Sequence, residues 1–224
     1  MKTEVQDIAI PIDGLELEGL LAIPRQASGL VIFAHGSGSS RRSPRNRAVA
    51  AALNSVGLAT LLFDLLTPTE ERLDVIDATL RFDVDLLGDR LVAATESVVV
   101  RGRHRGLPLG YFGGSTGAAA ALIAAARRPT GIAAIVSRGG RPDLAIDMIA
   151  GVRAPTLFIV GGDDTWVLGM NVEAAARMSA PHDVAIVPGA THLFEEPGAL
   201  DQVARLASEW FLAQFAAHAA REAG

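Results

Sequence analysis

The chain has 224 residues, half of them hydrophobic and a fifth charged, which excludes a disordered chain and suits one α/β domain spanning residues 1–224. Lys plus Arg number 20 against 25 Asp plus Glu, a formal charge of -5, so broad electrostatic binding of nucleic acid is not expected. Cysteine is absent, which excludes a disulfide framework, thiolate metal ligands and a Cys nucleophile.

The first residues, MKTEVQDIAIPIDG, carry charges where a secretion signal needs an apolar stretch, and no apolar run is long enough to span a bilayer. The expectation is a cytoplasmic protein without a membrane partner. Val5–Ile10 and Leu15–Ile23 flank Pro11-Ile-Asp-Gly14, a turn signal, and read as an antiparallel pair. From residue 29 onward, continuous apolar runs alternate with helical patterns. Gly29–Ala34, Leu58–Phe63, Leu107–Phe112, Ile132–Val136, Thr156–Val160 and Asp183–Val187 suit strands of a parallel sheet buried on both faces.

Between them, Ser43 caps a helix with Pro44 at its first position, ending near Gly57. Leu73, Ile76, Leu80, Val84, Leu87 and Leu91 recur at helical spacing and predict one long helix, with Asp77, Arg81 and Asp85 placed to pair along it. Arg101–Gly106 is a short basic loop. Thr116–Arg127 is an Ala-rich helix, and Val203, Leu206 and Trp210 mark a C-terminal one. The fold class is α/β: a mostly parallel sheet with helices on both faces and antiparallel N-terminal strands.

Gly113-Gly-Ser-Thr-Gly117 is a G-x-S-x-G motif that follows a strand and opens a helix. A Cβ at Gly113 or Gly117 would clash in so sharp a turn, and the turn lifts the Ser115 hydroxyl above the strand ends. The Thr116 amide then lies at a helix N-terminus, where it favours an oxyanion. Serine needs a base, and the base an orienting acid. The strand ending at Val160 runs into Gly161-Gly-Asp-Asp-Thr-Trp-Val167, and the one ending at Val187 into Pro188-Gly-Ala-Thr-His192. Both loops leave the sheet edge that carries Ser115, in the chain order Ser, Asp, His. His104, His182 and His218 read as surface residues, and His35 as shaping its own loop. The His35-Gly-Ser-Gly38 loop follows the first parallel strand and offers the Ser37 amide as a second oxyanion donor.

HGSG at 35–38, GGSTG at 113–117, GGDDTWV at 161–167 and GATHLF at 189–194 together resemble the α/β-hydrolase superfamily, and within it the dienelactone hydrolase-like group. The resemblance covers nearly the whole chain. It implies a serine hydrolase that cleaves small carboxylic esters through an acyl-enzyme, a carboxylesterase-type enzyme without metal or organic cofactor. Ser115, His192 and Asp164 would be the triad; the pattern G-x-x-D-x-x-V aligns Asp164, while adjacent Asp163 stays an alternative. Ser115 stands where dienelactone hydrolases carry cysteine, which favours simple ester hydrolysis. Only one short helix, near Asp143–Ile149, fits between the strands ending near Ser137 and beginning near Thr156, so no cap domain is expected. Arg41, Arg42, Arg45, Arg47, Arg138 and Arg141 crowd the same edge. Either they pair with acids such as Glu70 and Glu71, or Arg41 and Arg138 grip an anionic substrate. Trp166 is a candidate for lining the acyl pocket.

The alternatives are a non-catalytic binding protein of this fold, or an acyltransferase or perhydrolase using the same three residues. A dinucleotide fold is disfavoured because Arg41 replaces the third glycine of Gly36-Ser-Gly-Ser-Ser-Arg41, and no P-loop sequence occurs. The partner expected is a small-molecule ester, with no nucleic acid; monomer and dimer both remain open.

Overall fold

The computed structural model describes residues 3–12, 14–102 and 106–222. His104, in the basic loop, and Asp13, in the first turn, lie outside the described residues. Eight strands form one sheet in the order β1-β2-β4-β3-β5-β6-β7-β8. These are β1 (Thr3–Ile12), β2 (Leu15–Pro24), β3 (Leu30–Ala34), β4 (Ala59–Phe63), β5 (Leu109–Gly114), β6 (Ala134–Arg138), β7 (Thr156–Gly161) and β8 (His182–Val187). β1 and β2 pair antiparallel, β2 meets β4 antiparallel, and every later pairing is parallel. Parallel strands deliver all their C-terminal ends to one edge, which brings residues distant in sequence together.

The described residues form six α-helices, α1 (Pro44–Ser55), α2 (Pro68–Asp77), α3 (Val84–Val100), α4 (Thr116–Arg127), α5 (Thr165–Ala176) and α6 (Ala199–Glu222), which flank the sheet except for α2 at its rim. Alternate strand residues feed two apolar layers. Ile32, Leu61, Tyr111 and Ile135 pack with Leu87 and Leu91 of α3 and with the alanines of α4. Phe33, Leu62, Phe112 and Val136 pack on the other face with Leu53 of α1 and Phe211 and Phe215 of α6. The central strands are buried on both faces, as their apolar runs require. β8 departs from that expectation. It is the sheet's edge, and Ile186 is exposed.

The long helix expected through Leu73–Leu91 is broken in two. Ala78 adopts a left-handed conformation (φ 57°) that closes α2, a 3-10 turn follows at Leu80–Phe82, and Asp83 caps α3 through the Leu86 amide. Asp74 pins the break by accepting from the Leu80 and Arg81 amides at 2.7 and 3.0 Å. Periodicity continues across the join, but capping carboxylates decide where each helix stops. Leu73 and Ile76 therefore face solvent, and only Asp74 of α2 is buried. The ion pairs change accordingly. Arg81 binds Asp74 rather than Asp77 or Asp85, and Asp85 pairs with Arg127 of α4. The short helix expected near Asp143–Ile149 is instead two 3-10 turns, Pro142–Ala145 and Ile149–Gly151, leaving no inserted cap after β6.

Candidate active site

The chain leaves β5 and turns at Ser115, whose φ of 53° and ψ of -122° are unusual for a residue with a side chain. Such a conformation costs on the order of 1–3 kcal/mol and persists only where its surroundings enforce it. The close packing behind it excludes side chains. A Cβ at Gly117 would meet the Ala34 carbonyl oxygen at 2.2 Å, and one at Gly113 would meet Ala118 Cα at 2.4 Å. The Ser115 amide donates to the Arg138 carbonyl on β6 at 3.1 Å, and the Ser115 carbonyl accepts from the Ala118 and Arg141 amides. The elbow is thus held from β6 as well as from α4.

Two loops close on Ser115 from the neighbouring strand ends. Asp164 ends the turn between β7 and α5, and His192 lies in the loop after β8. His192 Nε2 is 3.3 Å from Ser115 Oγ, and His192 Nδ1 is 2.7 Å from Asp164 Oδ2. That arrangement fixes the tautomer: Nδ1 donates to the carboxylate and Nε2 is free to accept from the hydroxyl. Asp163 points to solvent, its amide donating to the Ala190 carbonyl, so Asp164 and not Asp163 meets the imidazole. The two loops are stitched together. A Cβ at Gly161 would fall 2.3 Å from the Ala190 carbonyl oxygen. Within the His192 loop, Thr191 donates through both its amide and its hydroxyl to Glu196.

The His35–Gly38 loop forms the facing wall. His35 is buried, its Nδ1 bound to the Gly36 carbonyl and its Nε2 accepting from the Leu65 amide, each at 3.0 Å. Burial holds its pKa below the usual imidazole value, against the pull of Asp64. The neutral ring ties the loop to the chain leaving β4, as its expected loop-shaping role requires. The Ser37 amide is not free: it donates to Thr116 Oγ1 at 2.8 Å. This is a correction to the expectation that it faces the cleft directly. The Thr116 amide, at the first position of α4, makes no backbone hydrogen bond among the described residues.

The arginines divide sharply. Arg41 binds Asp64 and Glu18, not Glu70 or Glu71, and its guanidinium is thereby committed. Glu70 is taken by Arg90, Arg45 by Glu195 and Arg141 by Asp143. Arg138 is buried on the α1 side of the sheet edge. Its Nη2 reaches Asn46 Oδ1 at 3.3 Å, and its guanidinium lies 5.8 Å from the Phe194 ring centre. Burial and the charge of Arg45 push its pKa down to about 10. Trp166 is 68% exposed at the start of α5, with Arg141 over its ring, so it does not form an enclosed pocket wall.

A cavity of about 700 Å³ opens beside the elbow. It lies between the Gly36–Ser40 loop, the first turn of α1, Leu65 and Leu66, and the α2 to 3-10 segment. Gly36 is the shared wall: a Cβ there would lie 3.1 Å from Ser115 Cβ. Among the described residues, no cluster of three His, Asp or Glu side chains fits a metal ion, and no helix is long and apolar enough to cross a membrane.

Comparison with known proteins gives the family. The profile of the dienelactone hydrolase family matches residues 17–218. A crystal structure of a dienelactone hydrolase from Anabaena variabilis superposes with a TM-score of 0.94 at 51% identity, covering 96% of this chain and 99% of that one. Est1E from Butyrivibrio proteoclasticus shares the fold alone, at a TM-score of 0.74 and 19% identity over 94% of this chain and 99% of that one. A Mycobacterium tuberculosis H37Rv protein provisionally named a phosphoribosyl transferase is 53% identical over 209 residues. Those residues are 93% of this chain but 46% of that protein, so the chain spans about half the length of that relative. With the α/β-hydrolase sheet, the serine elbow and a family match over nearly its whole length, the chain belongs to the dienelactone hydrolase family.

Proposed function

We propose that the protein is a serine hydrolase of small carboxylic esters. The observation that carries this reading is the hydrogen-bonded chain Ser115 Oγ–His192–Asp164 at one edge of the sheet. Ser115 Oγ attacks the ester carbonyl as its proton passes to His192 Nε2, and Asp164 stabilises the imidazolium. The tetrahedral oxyanion collapses, the alcohol leaves with the proton from His192, and an acyl-serine remains. Water, deprotonated by the same histidine, releases the acid and restores the hydroxyl.

The Thr116 amide is the direct oxyanion donor in this scheme. Thr116 Oγ1 accepts from the Ser37 amide, and through that bond the Ser37 dipole supports the oxyanion indirectly. The site has no cap over Ser115 from the β6 side, which favours compact esters over long lipid chains. The 51% identity to the Anabaena variabilis dienelactone hydrolase supports hydrolysis of an ester or lactone. The phosphoribosyl transferase name describes a protein more than half of which has no counterpart here, and it is not carried over. Water as acyl acceptor, operation without cofactor and a cytoplasmic setting complete the proposal.

The test is hydrolysis of p-nitrophenyl acetate, butyrate and octanoate, with fluorophosphonate labelling, by the wild type and Ser115→Ala. Turnover of the short esters and labelling, both lost in the variant, are expected. Labelling unaffected by Ser115→Ala would overturn the assignment of the nucleophile.

A further inference from the structure

The cavity beyond Gly36 has more hydrogen-bond donors than an ester needs. Ser37, Ser39 and Ser40 line it, and the Ser37 and Ser39 hydroxyls make no hydrogen bond among the described residues. Ser40 Oγ only accepts, from the Arg42 amide at 3.2 Å, which leaves its proton unspent. Arg42 is exposed and has no ion pair among the described residues. Arg45 spends Nη1 on Glu195 and leaves Nη2 without a partner among the described residues, while its Nε is sealed away from the cavity. Arg81 gives Nε and Nη2 to Asp74, leaving Nη1, which lies 4.0 Å from where a Gly38 side chain would begin. These donors approach from three separate elements: the loop after β3, the first turn of α1, and the 3-10 turn after α2.

The acids at this cavity are unevenly committed. The Asp74 carboxylate already accepts from two amides and from Arg81. The Glu71 carboxylate makes no hydrogen bond among the described residues, and burial together with the charge of Asp64 raises its pKa. Among the described residues it is the uncommitted carboxylate lining the cavity, and its charge would oppose a bound anion.

We propose that this cavity receives a phosphate monoester group carried by the substrate, alongside a carbonyl held at Ser115. The placement relative to the reacting bond rests on the serine-hydrolase reading; the anion site itself does not. A carboxylate presents two oxygens in one plane, and a single arginine fork saturates it. Hydroxyls and guanidinium groups converging from three directions instead match the three terminal oxygens of a tetrahedral dianion. Leu65, Leu66 and Leu87 give the same cavity an apolar side for the carbon skeleton between phosphate and ester.

Binding is best read without turnover, by calorimetry on Ser115→Ala, using glycerol 3-phosphate, inorganic phosphate and succinate as probes. Both phosphates are expected to bind at least tenfold more tightly than succinate. Adding Arg42→Ala should weaken them about tenfold, while Glu71→Gln should tighten them severalfold, a gain that general loosening of the fold would not produce. Succinate binding as well as the phosphates would overturn the phosphate assignment. So would the absence of heat with all three probes, or indifference to both substitutions. Loss of esterase activity in the wild type would instead count against the hydrolase reading, which these titrations leave untouched.

Discussion

Exchanging each adjacent carboxylate separately is the sharpest probe of the proposed mechanism, because Asp163→Asn and Asp164→Asn remove the same charge one residue apart. Asp164 Oδ2 is 2.7 Å from His192 Nδ1, with the Asp164 and His192 side chains 15% and 36% exposed. That partial exposure calls for an effective dielectric near 20. Opposite charges centred about 4 Å apart then attract by about 4 kcal/mol as the imidazolium forms. At about 1.36 kcal/mol per decade, this is about three decades of rate. The amide of asparagine also lets His192 adopt the tautomer whose Nε2 carries the proton, which brings the loss to about 10⁴-fold in kcat. Asp163 is exposed and makes no side-chain bond to the imidazole, so Asp163→Asn should change kcat by less than about threefold. Stopped-flow release of p-nitrophenol from p-nitrophenyl acetate would measure the acylation step, with thermal melts to show that both variants are folded. Equal losses in the two variants, or a loss below tenfold in Asp164→Asn, would refute the reasoning.

Thr116→Val should lower kcat by about 10- to 100-fold with little change in KM, while Thr116→Ser stays within a few fold, since only the hydroxyl relays the Ser37 dipole; parallel Michaelis–Menten runs decide it. His35 has a folded pKa below its ordinary 6.5 because of burial, so between those values the unfolded chain takes up a proton that the folded chain refuses. Stability should therefore decline as the pH falls below about 6.5, and denaturant melts from pH 8 to 5 should show a shallower decline in His35→Gln. Arg41→Ala should cost about 2–4 kcal/mol in urea unfolding, because it strands the buried Asp64 carboxylate, yet leave KM for acidic and neutral esters in the same ratio.

The elbow was legible because its constraints are local. Gly113, Ser115 and Gly117 fall within five residues, and the backbone clashes that demand the glycines come from the turn and the strand beside it. His192 and Asp164 were legible for a related reason: each follows a strand whose apolar run announces where it ends, and parallel strands end at one edge. The partners of the arginines were not legible. Arg41 reaches back 23 residues to Glu18, and Arg45 forward 150 to Glu195, distances over which sequence carries no signal of charge pairing. The bond from Ser37 to Thr116 spans 79 residues and depends on how two loops meet. The helix break at Ala78 had a local signal in Asp83, a capping residue, but an unbroken apolar rhythm spoke against it.

Arg138 was expected to present its guanidinium to substrate, but its backbone is what meets the elbow. Its carbonyl accepts the Ser115 amide, one of the bonds that hold the elbow in a conformation it would otherwise leave. Its guanidinium turns to the opposite side of the sheet edge, against Gly114, whose Cβ would approach Nη2 to 2.8 Å, and against Phe194 in the loop that carries His192. A buried cation with its Nε unpartnered and no carboxylate beside it is costly. It fills the space between the nucleophile's strand, the base's loop and the first turn of α1, contacting all three. The side chain thus bridges the strand that carries Ser115, the loop that carries His192 and α1, and the arginines of the proposed phosphate site are Arg42, Arg45 and Arg81, on the far side of Gly36.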